Sequence, residues 1–181
     1  MRRLITAAAA LSAATISAFA FAGSASAQSQ NFPSAGVTTL AGRCSKLVVG
    51  KLDVSKPCKN EIAAVALPNG DVTFIFTAQG KMLGFQGDGK AIKPASNGNA
   101  RIPLTLVTTG VGQKMTGEVK VAGSCTFGNP YGGKPVAIEC TAESKDSTFA
   151  ANFQTNGKAP VQPKAPAAAA APAPEAKPAK K

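Results

Sequence analysis

"CTFGNPYGGKPVAIEC", running from Cys125 to Cys140, carries two of the four cysteines of this chain and reads as a single β-hairpin. With Gly132-Gly133 at the centre of the turn, Tyr131 opposes Lys134, Phe127 opposes Ile138, and Cys125 opposes Cys140. Both cysteines then share the parity of Val121 and Ile138, the expected core face. Directly opposed residues of antiparallel strands have Cα atoms about 4.5–5.5 Å apart, within reach of a disulfide. Pro130 falls opposite Pro135, where neither can donate to the ladder, so the turn end of the hairpin is expected to fray.

The remaining cysteines, Cys44 and Cys58, are then paired with each other, and all four are read as disulfide residues. The chain has no histidine and no Cys-x-x-Cys, so zinc-finger and thioredoxin-like patterns lack their ligands or spacing. A redox pair would need an accessible cysteine of low pKa, and no neighbouring residue argues for one. Each bridge closes a loop of roughly 15 residues and is expected to contribute about 3 kcal/mol.

Outward from the hairpin, period-two alternation recurs. Val72, Phe74 and Phe76 alternate with Thr73 and Thr77, with Ile75 as the exception. Met115, Val119, Val121 and Cys125 share one parity, as do Ile102, Leu104 and Leu106 in a second run. Val136, Ile138 and Cys140 form a third set, and Phe149, Ala151 and Phe153 a fourth. Turn chemistry separates the runs at Pro68-Asn69-Gly70-Asp71, Gln79-Gly80, Gly87-Asp88-Gly89, Gly110-Val111-Gly112 and Gly132-Gly133. The segment Asn60–Leu67 fits either a short helix capped by Asn60 or a buried strand. Seven to nine such strands predict an all-β fold, an antiparallel meander that forms a sandwich or a closed barrel. A transmembrane barrel competes on strand length, but one Tyr and no Trp supply no aromatic girdles.

The ends of the chain differ from its middle. Arg2 and Arg3 precede an uncharged stretch, Leu4–Ala22, and Ala25-Ser26-Ala27 offers small residues before Gln28. Residues 1–27 therefore read as a cleaved export signal, which places the mature protein in the periplasm or outside the cell. Residues 28–36 form a lead-in, 37–157 the β domain, and 158–181 a Lys/Pro/Ala tail expected to be extended and disordered. In the tail five lysines against Glu175 leave +4, out of +11 for the whole chain.

Chemistry-bearing patterns are few. Gly84–Lys90 matches G-x-x-x-x-G-K, but Ala91 stands where a phosphate-binding loop needs Ser or Thr, and Pro94 follows too soon for a helix. It reads as a glycine-rich turn. Without histidine the usual general base is missing, the carboxylates are scattered, and Asp88, Asn97 and Asn99 do not have calcium-loop spacing. No catalytic residue, metal or cofactor is assigned. The longest irregular stretch, Phe85–Arg101, carries Lys90, Lys93 and Arg101, which are the expected anion contacts of the domain. Lys158, Lys164, Lys177, Lys180 and Lys181 are those of the tail.

The sequence thus predicts a non-enzymatic exported protein associated with an anionic envelope polymer or membrane surface, with no nucleic-acid partner. A small-ligand-binding or inhibitor-type barrel is the alternative, with Phe74, Phe76, Leu104 and Phe149 around a cavity. An enzyme of unfamiliar mechanism is the third.

Overall fold

The computed structural model describes residues 36–112 and 114–162. The expected signal, most of the lead-in and the tail beyond Gln162 lie outside the described residues. Ten strands follow one another: β1 (Gly36–Val49), β2 (Leu52–Asp53), β3 (Glu61–Ala66), β4 (Asp71–Ala78), β5 (Lys81–Asp88), β6 (Lys93–Pro94), β7 (Ala100–Val111), β8 (Lys114–Phe127), β9 (Ala137–Glu143) and β10 (Thr148–Thr155). The hydrogen-bonded path runs β10-β9-β8-β7-β5-β4-β3-β1, and β10 pairs with β1 to close it. The fold is an antiparallel barrel of eight strands, which decides between the two architectures left open by the sequence. The two-residue strands are additions at its wall, β2 on β1 and β6 on β7.

Alternation explains the closure. Val72, Phe74, Phe76 and Ala78 of β4 are buried, as are Ile138, Cys140 and Ala142 of β9 and Phe149, Ala151 and Phe153 of β10. They form one core cluster inside the barrel. Phe76 meets Phe85 edge-on at 5.7 Å, and Phe74 reaches Phe127 at 5.3 Å. The outward residues of β9 (Ala137, Glu139, Thr141 and Glu143) are exposed. An apolar interior and a charged exterior reverse the disposition of a transmembrane barrel.

The predicted hairpin register holds. Cys125 pairs with Cys140 and Phe127 with Ile138, and the bridged cysteines have Cα atoms 4.0 Å apart. The ladder stops at Phe127, as the two prolines imply. The connection Gly128–Val136 is not a turn centred on the two glycines, however. Asn129 organises it, its side-chain oxygen accepting from the Tyr131 amide at 2.9 Å and its carbonyl from the Gly132 amide at 3.3 Å. Val136 exchanges bonds with Thr155, whose amide donates to its carbonyl and whose hydroxyl accepts from its amide.

One open reading is decided and two expectations are corrected. Asn60–Leu67 is mostly strand, and Asn60 caps no helix: its Oδ1 accepts from the Cys44 amide at 3.1 Å. Leu106 does not share a face with Ile102 and Leu104. The β5–β7 register skips Thr105, and one extra residue reverses parity, so Val107 is the next inward side chain. Met115 is 56% exposed, because the β7–β8 register skips Thr116 and so reverses the parity of the residues before it. Gln79-Gly80 is the expected two-residue turn, both residues with positive φ.

The second disulfide joins Cys44 to Cys58, with Cα atoms 5.9 Å apart. It holds the β2–β3 connection against β1 and β4, where the Lys59 amide donates to the Thr77 carbonyl at 2.8 Å. In the same connection Asp53 accepts from the Ser55 amide at 2.9 Å. The Ser55 hydroxyl, then its amide, hold the Asp53 carboxyl below its ordinary pKa, and Lys46 and Lys56 add to this.

Candidate functional site: paired cations at one end of the barrel

The turns β3–β4, β5–β7 and β8–β9 share one end of the barrel, where β1 also begins. The stretch Phe85–Arg101, expected to be irregular throughout, is mostly ordered there. Phe85 to Asp88 complete β5, and only Gly89–Asn99 connects β5 to β7, with β6 inside it. The G-x-x-x-x-G-K match is therefore strand for most of its length rather than a turn. Gly84 lies against Thr108 and Thr73, and Gly87 against the Pro103 carbonyl, leaving no space there for a bound phosphate.

Asp88 Oδ1 accepts from the Lys90 amide at 2.8 Å and starts a 3-10 turn over Gly89–Ala91. A second 3-10 turn, Ser96–Gly98, reverses the chain through positive φ at Asn97 and Gly98. Ala95 donates to the Asn99 carbonyl at 2.8 Å, which lays β6 antiparallel on the start of β7. Lys93 is thereby set directly opposite Arg101. Both are exposed and share a face. Like charges directly opposed on a sheet destabilise each other. An anion set between an ammonium and a guanidinium removes that repulsion and gains charge-assisted hydrogen bonds.

Along the same rung, Arg101 is followed by Thr126, Glu139 and Asn152. Glu139 is the first carboxylate met, two strands from Arg101, and its Oε1 accepts from Asn152 Nδ2 at 3.2 Å. Lys90 belongs elsewhere: its side chain lies over Gly70 in the β3–β4 turn. The three loop cations grouped by sequence thus separate into a pair and a single lysine.

A second grouping was not foreseen. Gly157, with φ 78°, packs on the Lys134–Pro135 peptide, so the chain just before Lys158 lies against the chain at Lys134. A Cβ at Gly157 would lie 3.1 Å from the Pro135 ring. The Lys158 backbone amide donates a hydrogen bond to Asn156 Oδ1 at 3.0 Å. The Gly-Gly-Lys and Asn-Gly-Lys sequences are the only local signals of this, and nothing local says that they meet. Beyond Lys158, Val161 exchanges two backbone hydrogen bonds with Thr39, at 2.7 and 3.0 Å. Lys164, Lys177, Lys180 and Lys181 lie outside the described residues.

Among the described residues no group of three or more His, Cys, Asp or Glu side chains is placed to hold a metal ion. This end carries both signs of charge, with Asp71 directly opposite Asp88 on β4 and β5 and Lys93 directly opposite Arg101 on β6 and β7. In comparison with known proteins, no family model matches the chain, no curated protein matches it, and no solved structure matches it.

Proposed function

We propose that this is a non-enzymatic exported protein that associates with anionic polymer or anionic membrane surface of the cell envelope through its basic C-terminal region. The barrel contributes the Lys93–Arg101 pair as a fixed contact. The observation that carries this reading is the placement of those two cations directly opposite each other on an exposed face. The lysine-rich tail supplies further positive charge. Two disulfides are compatible with an oxidising, exported environment, in the periplasm or outside the cell.

Eight-stranded barrels can also hold one small ligand. The side chains that would line such a cavity here, Phe74, Phe76, Leu104 and Phe149, are all buried in the core cluster, and this favours the surface reading.

The test is co-sedimentation of the oxidised protein with isolated cell envelopes across a salt series. The intact chain should bind at low salt and dissociate as salt screens the contacts. Deleting residues 163–181 should remove most binding, and K93E/R101E should weaken what remains. Binding unchanged by the deletion, the double reversal and salt overturns the proposal.

A further inference from the structure

Several strands of the barrel run past a neighbour and leave an edge, and three of these edges, on β1, β4 and β8, bear on association. The first half of β1, Gly36–Ala41, has β3 on one side and no β10 on the other, because β10 joins β1 only from Gly42. Val161 covers that edge at Thr39. The end of β4 extends past the β3 ladder, which stops at Ile75, and is covered by Cys58 and Lys59. The third is β8. It pairs with β7 along nearly its whole length but with β9 only from Ala122. Among the described residues nothing pairs with the other side of Lys114–Val121. Lys114, Met115, Thr116, Glu118 and Lys120 are exposed.

An uncovered strand edge is a template for another strand. Which strand fits is decided here by charge. Glu118 and Lys120 flank Val119, so an antiparallel copy of the same segment, paired about Val119, sets each Glu118 opposite the Lys120 of its partner. Val119 then meets its own copy, and Gly117 meets Val121. Pairing about Glu118 would oppose two carboxylates, and pairing about Gly117 would leave Lys120 without one. Opposite charges directly across a ladder stabilise it and like charges oppose it. Pairing about Thr116 would also set Glu118 opposite Lys114, but the register shift that skips Thr116 puts those two on opposite faces, so the register about Val119 is selected.

We infer that this edge pairs with that of a second copy of the chain, giving a two-fold dimer in which β8 continues into β8 of the partner about Val119. The register shifts at Thr109/Gly110 and Leu104/Leu106 confine the regular stretch to the few residues around Val119. A two-fold contact uses the same edge of both copies, so the assembly closes at two and does not grow into fibres. The dimer is independent of the cation pair at Lys93 and Arg101.

Sedimentation velocity of the oxidised protein over a dilution series tests this. The natural sequence should show a monomer–dimer equilibrium. E118K and K120E should each raise the dissociation constant roughly 10-fold or more, since each turns two attractive pairs into two repulsive ones. The double swap E118K/K120E should recover dimerisation, and so should an equimolar mixture of the two single variants, as a heterodimer. Both positions are exposed, and unchanged thermal unfolding of each variant confirms that the barrel is intact. A natural protein that remains monomeric at millimolar concentration overturns the inference. So does a dimer that the single reversals leave unaffected.

Discussion

Phe74 on β4 and Phe127 on β8 bring their rings to 5.3 Å although their strands are not neighbours in the sheet. The contact crosses the barrel interior. Phe74 is 2% exposed, and so is Phe127.

Truncating either ring should therefore open a void between opposite walls. Phe74→Ala and Phe127→Ala are each expected to cost about 3–5 kcal/mol in denaturant unfolding. Because the rings share one space, the double variant should lose less than the sum of the single losses, by about 0.5–1.5 kcal/mol. Strict additivity would mean that the rings act separately.

The Cys125–Cys140 bridge closes a loop of sequence separation 15, and the Cys44–Cys58 bridge one of 14. Replacing either pair by serine should lower stability by about 3 kcal/mol through chain entropy. The local effects should differ. Loss of Cys125–Cys140 removes a bridge within the continuous β8–β9 ladder. Loss of Cys44–Cys58 frees a connection with few backbone bonds, and amide exchange at Val54 to Lys59 should rise first.

Gly42 sits where β1 and β10 close the barrel, and a Cβ there would run into the Gln154 carbonyl oxygen. Gly42→Ala should push the two strands apart and cost about 3 kcal/mol by overpacking. Gly80 has a positive φ of 75° but nothing within 4 Å, so Gly80→Asn, which tolerates that backbone, should change stability by less than about 1 kcal/mol. Equal losses at both sites would refute the steric account of closure.

Asp53 is the described acid whose carboxyl is held below its ordinary pKa, by the Ser55 hydroxyl first and the Ser55 amide second. A depressed carboxylate contributes stability above its unfolded pKa and loses it as pH falls through the folded value. Acidification through the carboxylate range should therefore release the Asp53–Ser55 contact, seen as movement of the Ser55 amide signal together with the Asp53 carboxyl carbon. In Asp53→Asn the Ser55 amide should no longer respond to pH in that range.

Much of the barrel is legible in the sequence because each strand must bury one side. Phe74 and Phe76, Ile138 and Cys140, and Phe149 and Phe153 announce their inward face by spacing alone. The rung joining Cys125 to Cys140 follows from counting outward from Gly132-Gly133, although Asn129 shapes the actual loop. Symmetric counting survives a change of turn. What alternation cannot express is a residue inserted on one strand, and Thr105 is enough to send Leu106 to the opposite face from Leu104. Nor does it distinguish a barrel from a sandwich, since that depends on β10 meeting β1, with Phe149 beside Val49 a hundred positions away. The candidate site was legible only in part. Lys93 and Arg101 are visible as cations, but their opposition requires the reversal at Asn97-Gly98, and the packing of Gly157 on the Lys134–Pro135 peptide is a long-range contact.

The Thr39–Val161 bridge also bears on how this chain can be rearranged. It sets the last described segment antiparallel to the first, so the point where the chain enters the barrel and the point where it leaves lie side by side. A hairpin-length linker from Gln162 to Gly36 would join them without crossing the barrel wall. New ends could then be opened at Gln79-Gly80, a two-residue turn on the surface. Such a circularly permuted chain should close the same eight strands, and its β1–β10 seam would be held within a continuous chain.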